Sequence, residues 1–504
     1  MEVSMGADHQ IAFFLRESTA PDAERRAAAL KGLGRTGRSE YAPVAAEAAG
    51  DPASSVRAAA ALALARLGDP EAGRAVLPVL MSDEDPGVRC RASVAVTRLG
   101  LGGPAVIEAF ARQLADPDRR VRINALEGLI VLGVPGDAAA LVRLLGDPDP
   151  AVWGRARTLI YGCAGDETVR AEVIRTARQG SGTARARALD WLSESHTEHL
   201  LDSLLTGLRD PSPAVRIAVA RRLFHVEQRQ VQDKLAEALR TERDPEVAAR
   251  LLRGLGRHGD EHVGEPAVRW LRDPIAGPSA AQALGALNTD TAAEELRAAL
   301  ADETLPSRTR AAVATAIGAQ GRWDAVWLLL PLLDDPDDDL RAGALDGLEA
   351  RVENGLRLWE RHPVAWSLAA HLETDARHIW RTRNALFGLA QALPAVRRLA
   401  DGSRSAEVRA AALSLLDGDD PTDERARHDT RRFLRSLDDP HEAVRYQAVL
   451  GLTRWVEATG SLPPGGEEAR ARLTALTTDA SLRVRQAAAG LIEALDTGPV
   501  FDPP

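Results

Sequence analysis

A short motif that returns along the chain constrains its fold more than any other feature. The motif is an aspartate, often followed by proline, then a polar stretch, a Val-Arg pair, and alanine and leucine at helical spacing. Fourteen such positions recur, at first about every 29–33 residues and over the last four steps at 40, 28, 36 and 40 residues. Self-similarity at this period indicates a repeat architecture. The arginine follows the aspartate by six residues in eight pairs: Asp51/Arg57, Asp83/Arg89, Asp116/Arg122, Asp210/Arg216, Asp335/Arg341, Asp375/Arg381, Asp439/Arg445 and Asp479/Arg485.

Each repeat predicts a hairpin of two helices. An amphipathic segment precedes the aspartate, as in AVLPVLMS before Asp83. The aspartate is expected to cap the second helix, and proline is tolerated at a helix start. The second helix then buries valine, alanine and leucine at three-to-four spacing, and a trailing glycine ends it. Neither helix hides its apolar face alone, so neighbouring hairpins must stack.

These repeats resemble the HEAT-repeat superfamily, in particular the short bacterial type that also occurs in phycobilin-lyase proteins. The resemblance runs from about Pro21 to Leu495 and implies an all-α fold, an α-α superhelix (α-solenoid) of about 14 HEAT-like hairpins. It also implies that the aspartates and arginines pair between neighbouring repeats into a ladder, and that the second helices line a concave groove. Trp153, and Ala248 after Asp244, stand in arginine positions and are expected to interrupt the ladder.

The expected organisation is one solenoid over residues 1–495 with a flexible tail at 496–504. The first repeat lacks a clean motif and is expected to form an N-terminal cap at about 8–50. An irregular insertion is expected at about 352–363. Polar loops are expected at 417–429 and 460–468.

Composition narrows the range of functions. The formal net charge of −10 argues against a general binder of nucleic acid. Two cysteines without a CxxC pattern exclude a disulfide scaffold and a cysteine-rich zinc site. The N-terminus has no signal-peptide pattern, and no apolar run is long enough to span a bilayer. We therefore expect a cytoplasmic protein without membrane attachment, and its arginine-rich basic charge suggests a bacterial source.

An arginine stripe is the first candidate site. The position two residues past each ladder arginine should point into the groove, where guanidinium groups suit carboxylates or phosphates. A solvated helix face is the competing interpretation. The candidates are Arg91, Arg155, Arg187, Arg250, Arg310 and Arg383.

The segment 323–383 is the second candidate site, because it holds five of the nine tryptophans. Trp359 and His362 lie in the insertion, Trp366 could form the wall of a recognition pocket near Trp359, and Arg381 or Arg383 could supply its cation. The competing interpretation is a degenerate repeat that fills a widened core with large side chains. Trp380 is expected to pack in the core, because it stands in the valine position of its repeat.

Chemistry of other kinds is less favoured by the residues present. The histidine pairs around His196 and His258 have metal-like spacing, but no third ligand accompanies them, so no metal and no cofactor is predicted. HEAT-type deoxyhypusine hydroxylases use several His-Glu dyads, whereas this chain has only His441-Glu442. HEAT-like DNA glycosylases use a strongly basic groove, whereas this chain is acidic overall and poor in aromatic residues, which argues against that activity. There is no glycine-rich phosphate loop and no nucleophile elbow.

The sequence favours a protein-interaction scaffold that binds a protein or peptide, acidic if the arginines contact it, in the concave groove. The alternative is a HEAT-like enzyme or ligand-binding protein with a pocket in 323–383, and a nucleic-acid-acting protein ranks below both. The sequence does not decide whether the protein is an enzyme, but the residues present favour a role without catalysis.

Overall fold

The turn before each second helix shows what the motif does. Asp83 accepts a hydrogen bond from the backbone N–H of Asp85 at 2.9 Å, which closes the turn. Asp85 then caps the helix, because its Oδ1 accepts the N–H groups of Gly87 at 2.7 Å and Val88 at 3.2 Å. Pro86 occupies the first helical turn. The motif aspartate therefore shapes the turn, and the capping role expected of it belongs to the residue two positions later.

The structure, a computed structural model, describes residues 2–192, 199–259, 261–416, 424–464 and 466–497. Within these ranges it contains thirty α-helices and no β-strand. The chain divides into two compact units, Met1–Val226 (unit 1) and Glu227–Pro504 (unit 2).

Unit 1 begins with a helical hairpin and continues in pairs of helices. Its helices are α1 Glu2–Glu17, α2 Ala23–Thr36, α3 Ala42–Glu47, α4 Ser54–Leu67, α5 Pro70–Leu80, α6 Pro86–Arg98, α7 Pro104–Gln113, α8 Arg119–Leu132, α9 Ala138–Arg143, α10 Pro150–Gly162, α11 Glu167–Gln179, α12 Gly182–Trp191, α13 Leu201–Gly207 and α14 Pro213–Leu223. Short 3₁₀ turns lie at Ser39–Tyr41, Ala48–Gly50 and Leu144–Gly146.

Unit 2 follows the same alternation. Its helices are α15 Arg229–Thr241, α16 Pro245–Arg257, α17 Gly264–Trp270, α18 Gly277–Leu287, α19 Asp290–Ala301, α20 Ser307–Gln320, α21 Ala325–Leu329, α22 Asp338–Glu353, α23 Leu358–Thr374, α24 Ile379–Leu386, α25 Leu393–Gly402, α26 Ala406–Ser414, α27 Glu424–Ser436, α28 Glu442–Thr459, α29 Gly466–Leu476 and α30 Leu482–Thr497. Short 3₁₀ turns lie at Glu261–Val263, Leu330–Asp334 and Ala390–Ala392.

Odd-numbered helices are the first helices of their hairpins and even-numbered helices are the second. Within each unit, most second helices pack closely on the second helices of neighbouring hairpins, whereas first helices touch one another much less. The exception in unit 1 is α12, which packs on the Leu144–Gly146 turn instead of on α10. The second helices bury mainly alanine, valine and leucine, as α4 does with Val56, Ala60 and Leu64. The predicted all-α superhelix of stacked hairpins is therefore confirmed.

The closest packing in unit 2 is between α20 and α22, where backbones meet without side chains between them. A Cβ atom on Gly318 would overlap the backbone of Gly347, and one on Gly347 would lie 2.6 Å from the carbonyl oxygen of Ala314. A β-carbon in real proteins does not approach a backbone atom this closely. Glycine is therefore required at this crossing.

Several expected boundaries differ in the structure. In the insertion expected at 352–363, α22 continues to Glu353 and α23 starts at Leu358, so the linker is short. Of the loop expected at 417–429, residues 417–423 lie outside the described ranges and the rest belong to α27. Helix α29 begins within the loop expected at 460–468. In the described ranges no helix is long and apolar enough to cross a bilayer.

Candidate functional site

Arginines and aspartates pair between consecutive hairpins. The Nε of Arg57 donates to Oδ2 of Asp83 at 2.6 Å and its Nη2 donates to Oδ1 at 2.8 Å. We call this set the Asp-Arg ladder and each pair a rung. The rungs are Arg26/Asp51, Arg57/Asp83, Arg89/Asp116, Arg122/Asp147 and Arg185/Asp210 in unit 1, and Arg341/Asp375, Arg409/Asp439 and Arg445/Asp479 in unit 2.

Seven of the eight ladder arginines also hold the turn of their own repeat, and Arg185 instead donates to the carbonyls of Ala177 and Ser203. The Nη1 of Arg57 donates to the carbonyl oxygens of Asp51 and Pro52, both at 3.0 Å. Arg445 donates in the same way to the carbonyl oxygens of Asp439 and Pro440. Arg445 also donates to both carboxylate oxygens of Asp479, and these hydrogen bonds hold the pKa of Asp479 below its usual value. The ladder carboxylates are therefore structural groups, as the resemblance implied.

Sequence reasoning missed the first rung. Arg26 on α2 donates to both carboxylate oxygens of Asp51, at 2.8 and 2.9 Å, and to the carbonyls of Ala20 and Pro21. The first hairpin, expected as a cap without a motif, is thus built like a repeat. The available signal was the arginine itself, since no aspartate precedes Arg26 by six residues.

Trp153 interrupts the ladder, and an arginine from the next hairpin takes over the missing contacts. Arg187 on α12 stacks on the Trp153 ring, with its guanidinium carbon 4.0 Å from the ring centre. Its Nη1 donates to the carbonyl oxygens of Leu145 and Asp147. Asp147 occupies the turn position of its repeat. An arginine at position 153 would bind the Asp147 carbonyl, as Arg57 binds the carbonyl of Asp51. Burial lowers the pKa of Arg187, which fits this enclosed position.

Ala248 marks the second interruption, and it is filled in a similar way. Asp244 is the helix cap of α16, and Glu242 takes the motif position because its Oε1 accepts the N–H of Asp244 at 2.9 Å. Arg269 on α17 donates to the carbonyls of Leu239 and Arg240, at 3.0 and 2.9 Å. Both interruptions are therefore satisfied by an arginine from the following hairpin.

The predicted arginine stripe is only partly available to a partner. Arg91 is exposed on α6 and donates to the Gly87 carbonyl of its own helix. Arg155 pairs with Glu127 on α8. Arg187 is committed to Trp153 and its turn, as described above. Arg250 is half-buried on α16.

Arg310 and Arg383 make contacts other than the groove-facing ones that the spacing predicted. Arg310 directly follows the buried Thr309, which makes Arg310 itself the equivalent of a ladder arginine, and it donates to the Leu300 carbonyl at 3.3 Å. Arg383 donates to Oγ of Ser414 at 2.9 Å. These two side chains therefore brace neighbouring helices.

The tryptophans of segment 323–383 lie on the surface. Trp380 was expected in the core and this is wrong, because α24 turns Ile379 and Thr382 inward instead. The interpretation that large side chains fill a widened core is therefore wrong for all five. Their exposed fractions are 63% for Trp323, 48% for Trp327, 61% for Trp359, 76% for Trp366 and 50% for Trp380.

The structure brings Trp359, His362 and Trp366 together on one exposed face of α23, three and four residues apart. A buried ion pair fixes the start of this helix. The Nη2 of Arg351 on α22 donates to Oε2 of Glu360 at 2.7 Å, and both side chains are almost fully buried. The exposed tryptophans thus stand on a firmly anchored helix.

A cleft opens beside Trp366, between the first helices α23 and α25, with a volume of 370 Å³. Alanines and Leu399 form its apolar part, and Glu373 and Arg398 are its charged side chains. Sequence reasoning placed the pocket near Trp359 and assigned its cation to Arg381 or Arg383. Arg381 instead pairs with Asp346, and Arg398 was missed because nothing in the motif distinguishes it.

A family model for HEAT repeats matches residues 11–89, 73–160, 171–256 and 232–309, which together exceed half of the chain. The chain is a member of the HEAT-repeat family. The ladder and the stacked hairpins of this HEAT-repeat protein agree with that assignment in both units. No curated protein sequence matches the chain significantly.

Solved structures show the same fold for this HEAT-repeat protein. Importin beta, crystallised in a polyethylene glycol condition, superposes with a TM-score of 0.62 at 14% identity, over 98% of this chain and 79% of importin beta. Kap95p, from a structure of its binding to RanGDP, superposes with a TM-score of 0.54 at 15% identity, over 98% of this chain and 73% of Kap95p.

The histidines of this HEAT-repeat protein have structural neighbours of their own. His371 is buried, with Nε2 3.4 Å from Oδ2 of Asp375, and burial lowers its pKa. His378 lies 3.2 Å from Asp338. His196 falls outside the described residues. In the part of the chain that the structure describes, no three histidine, cysteine or acidic side chains converge on a metal position.

Proposed function

We propose that this HEAT-repeat protein is an interaction scaffold that binds a protein or peptide partner across the exposed tryptophans of unit 2. The observation that carries this proposal is the exposure of Trp327, Trp359 and Trp366 on the first helices α21 and α23. We call these three side chains the tryptophan surface. Aromatics form only 4% of the chain, so three exposed tryptophans on two first helices of one unit are a strong compositional bias.

Exposed tryptophan favours a binding role over a packing role. A large apolar side chain left in water gains free energy when a partner covers it, and tryptophan is enriched among the residues that dominate protein interfaces. Leu358, 76% exposed, enlarges the apolar area beside Trp359. The cation of Arg357 lies 5.4 Å from the Trp359 ring centre and keeps one edge of this surface polar.

The structural relatives support the class of function. Kap95p, which shares the fold, binds RanGDP, so a stack of HEAT repeats can present a surface to a folded protein. An enzyme centred on segment 323–383 is supported less well. The cleft beside Trp366 is lined by one carboxylate and one hydroxyl side chain, without a histidine or cysteine to act as base or nucleophile.

Changing the tryptophan surface is expected to abolish partner binding while the fold is retained. The triple variant Trp327→Ser, Trp359→Ser and Trp366→Ser should melt close to the wild type, since surface changes usually stay within about 0.5 kcal/mol each. Affinity capture from extract of the source cells, quantified by mass spectrometry, should show proteins that the wild type retains and the triple variant loses.

Trp380→Ser is the matched control, because Trp380 is similarly exposed but lies on a second helix. This control should retain the same partners as the wild type. An identical set of captured proteins for all three forms would refute the tryptophan surface. A large fall in melting temperature of the triple variant would assign the three side chains to packing instead.

Two arginines of the predicted stripe, Arg91 in unit 1 and Arg250 in unit 2, are each a second candidate for contact with an acidic partner. Arg187 is unsuitable for testing this contact, because its reversal would also remove the stacking on Trp153. Changing Arg91 alone or Arg250 alone to glutamate should weaken binding of a polyglutamate peptide by about tenfold if that arginine contacts it, and the wild-type affinity should fall with salt, because exposed charges are screened over about 10 Å at 0.1 M. Isothermal titration at two salt concentrations would measure both effects. Binding that is unaffected by salt and by both single changes would identify the stripe as a solvated helix face.

A further inference from the structure

The cleft between α23 and α25 combines an aromatic wall, an apolar floor and one uncommitted cation. We propose that it docks an acidic peptide segment of the partner, which inserts an apolar side chain beside Trp366 and places a carboxylate on Arg398. This inference rests on the proposed scaffold function and names the chemistry of the partner.

The apolar part of the cleft is ready to receive a side chain. Trp366 is 76% exposed and forms one wall, while Ala369, Ala370, Ala395 and Leu399 provide a floor of small and aliphatic groups. Alanines on both helices leave the space open that longer side chains would fill. The volume of 370 Å³ lies in the lower part of the range for ligand clefts, about 300–1,000 Å³. A peptide side chain therefore fits better than a large cofactor.

The charges around the cleft favour a carboxylate. Arg398 is exposed, and within the described residues no ion pair or hydrogen bond engages it. Its neighbour Arg397 is different, because Nη2 of Arg397 donates to Oδ2 of Asp429 at 2.7 Å. Arg432 is likewise engaged, by Asp401 at 3.0 Å. Arg398 is thus the guanidinium that remains able to form a two-point contact with a carboxylate.

One carboxylate in the lining of the cleft would repel an acidic peptide. Glu373 on α23 is the carboxylate in the lining, whereas the guanidinium of Arg398 is on α25. A phosphate backbone would need several cations along its path, and the lining offers one. The formal net charge of −10 gives an acidic partner no general attraction, so recognition depends on this local guanidinium.

The test uses three synthetic peptides of equal length with a fluorescent label: one alternating glutamate with leucine and phenylalanine, one with serine in place of the apolar residues, and one with lysine in place of glutamate. Fluorescence anisotropy with the full chain should show binding of the first peptide alone. Arg398→Glu should weaken it about tenfold or more, the loss expected for one contact to a charged group. Trp366→Ala should weaken it by a similar factor, because it removes the aromatic wall that covers the apolar side chain of the peptide. Arg398→Lys, which keeps the charge, should recover part of the affinity.

Matched controls separate this cleft from other surfaces. Arg404→Glu changes an exposed arginine just outside the lining, and Trp380→Ala changes an exposed tryptophan on a second helix, so both should bind like the wild type. The inference is overturned if the wild type does not bind the acidic-apolar peptide, if the lysine peptide binds equally well, or if Arg398→Glu leaves the affinity unchanged while its melting temperature matches the wild type. If the triple tryptophan variant still loses its captured partners in any of these cases, the scaffold function stands and only the acidic-peptide chemistry is refuted.

Discussion

Replacing Arg89 with methionine is expected to lower the free energy of unfolding of unit 1 by about 3–5 kcal/mol, the usual cost of removing one partner of a buried ion pair. Arg89 donates to both oxygens of Asp116, at 2.6 and 2.9 Å, and to the carbonyls of Asp83 and Glu84. The Asp116 side chain is only 7% exposed, so its charge would remain without a guanidinium or full hydration. Methionine keeps the length and the apolar stem of arginine, which confines the change to the polar contacts.

The measurement is urea unfolding followed by circular dichroism. Arg91→Met is the control, because Arg91 lies on the same helix, is exposed, and donates to the Gly87 carbonyl of its own helix. We expect this control to stay within about 0.5 kcal/mol of the wild type. A loss below about 1 kcal/mol for Arg89→Met would show that the ladder adds little stability and serves mainly to align the repeats.

Gly318→Ala is expected to cost about 3 kcal/mol, at the upper end of the range for overpacked cores. The new methyl group would overlap the backbone of Gly347, and a backbone cannot rotate away as a flexible side chain can. Helices α20 and α22 would therefore have to separate and give up contacts along their length. The opposite sign would be expected from helix propensity alone, which favours alanine over glycine by about 1 kcal/mol.

Gly490→Ala is the control that measures the helix-propensity effect of alanine alone. Gly490 lies on α30 of the same unit, and a methyl group there would meet no atom within 4 Å. This control should be neutral or raise the melting temperature, while Gly318→Ala lowers it. Equal effects of the two changes in thermal melting would contradict the close crossing of α20 and α22.

The six-residue spacing was sufficient to predict the helical hairpins and most of the ladder, because each rung depends on one short turn of constant length. It failed where that length changes. Asp302 and Arg308 keep the spacing, but Leu305 and Pro306 lengthen the turn, so Thr309 is buried and Arg310 takes the place of the ladder arginine. Counting along the sequence cannot reveal such a shift, since buried and exposed positions depend on where the helix begins.

The candidate site was only partly predictable for a related reason. The spacing of Trp359, His362 and Trp366 shows that they share a helix face, but it does not show whether that face meets a neighbouring helix or water. First helices touch one another so little that this face of α23 stays open. Arg398 could not be identified, because an unpaired arginine looks the same in sequence as Arg397, which is paired with Asp429.

The rungs interrupted at Trp153 and Ala248 limit how far single hairpins can be exchanged in this chain. Where a hairpin carries both its aspartate and its arginine, its turn is closed by its own residues, and such hairpins can be exchanged or duplicated as single cassettes. The hairpin of α9 and α10 is not such a cassette, because the carbonyls behind Trp153 are capped by Arg187 from the next hairpin. The hairpin of α15 and α16 depends on Arg269 in the same way. Truncation or recombination of the protein would therefore have to move these hairpins in pairs, which makes a four-helix segment the smallest transferable piece at both places.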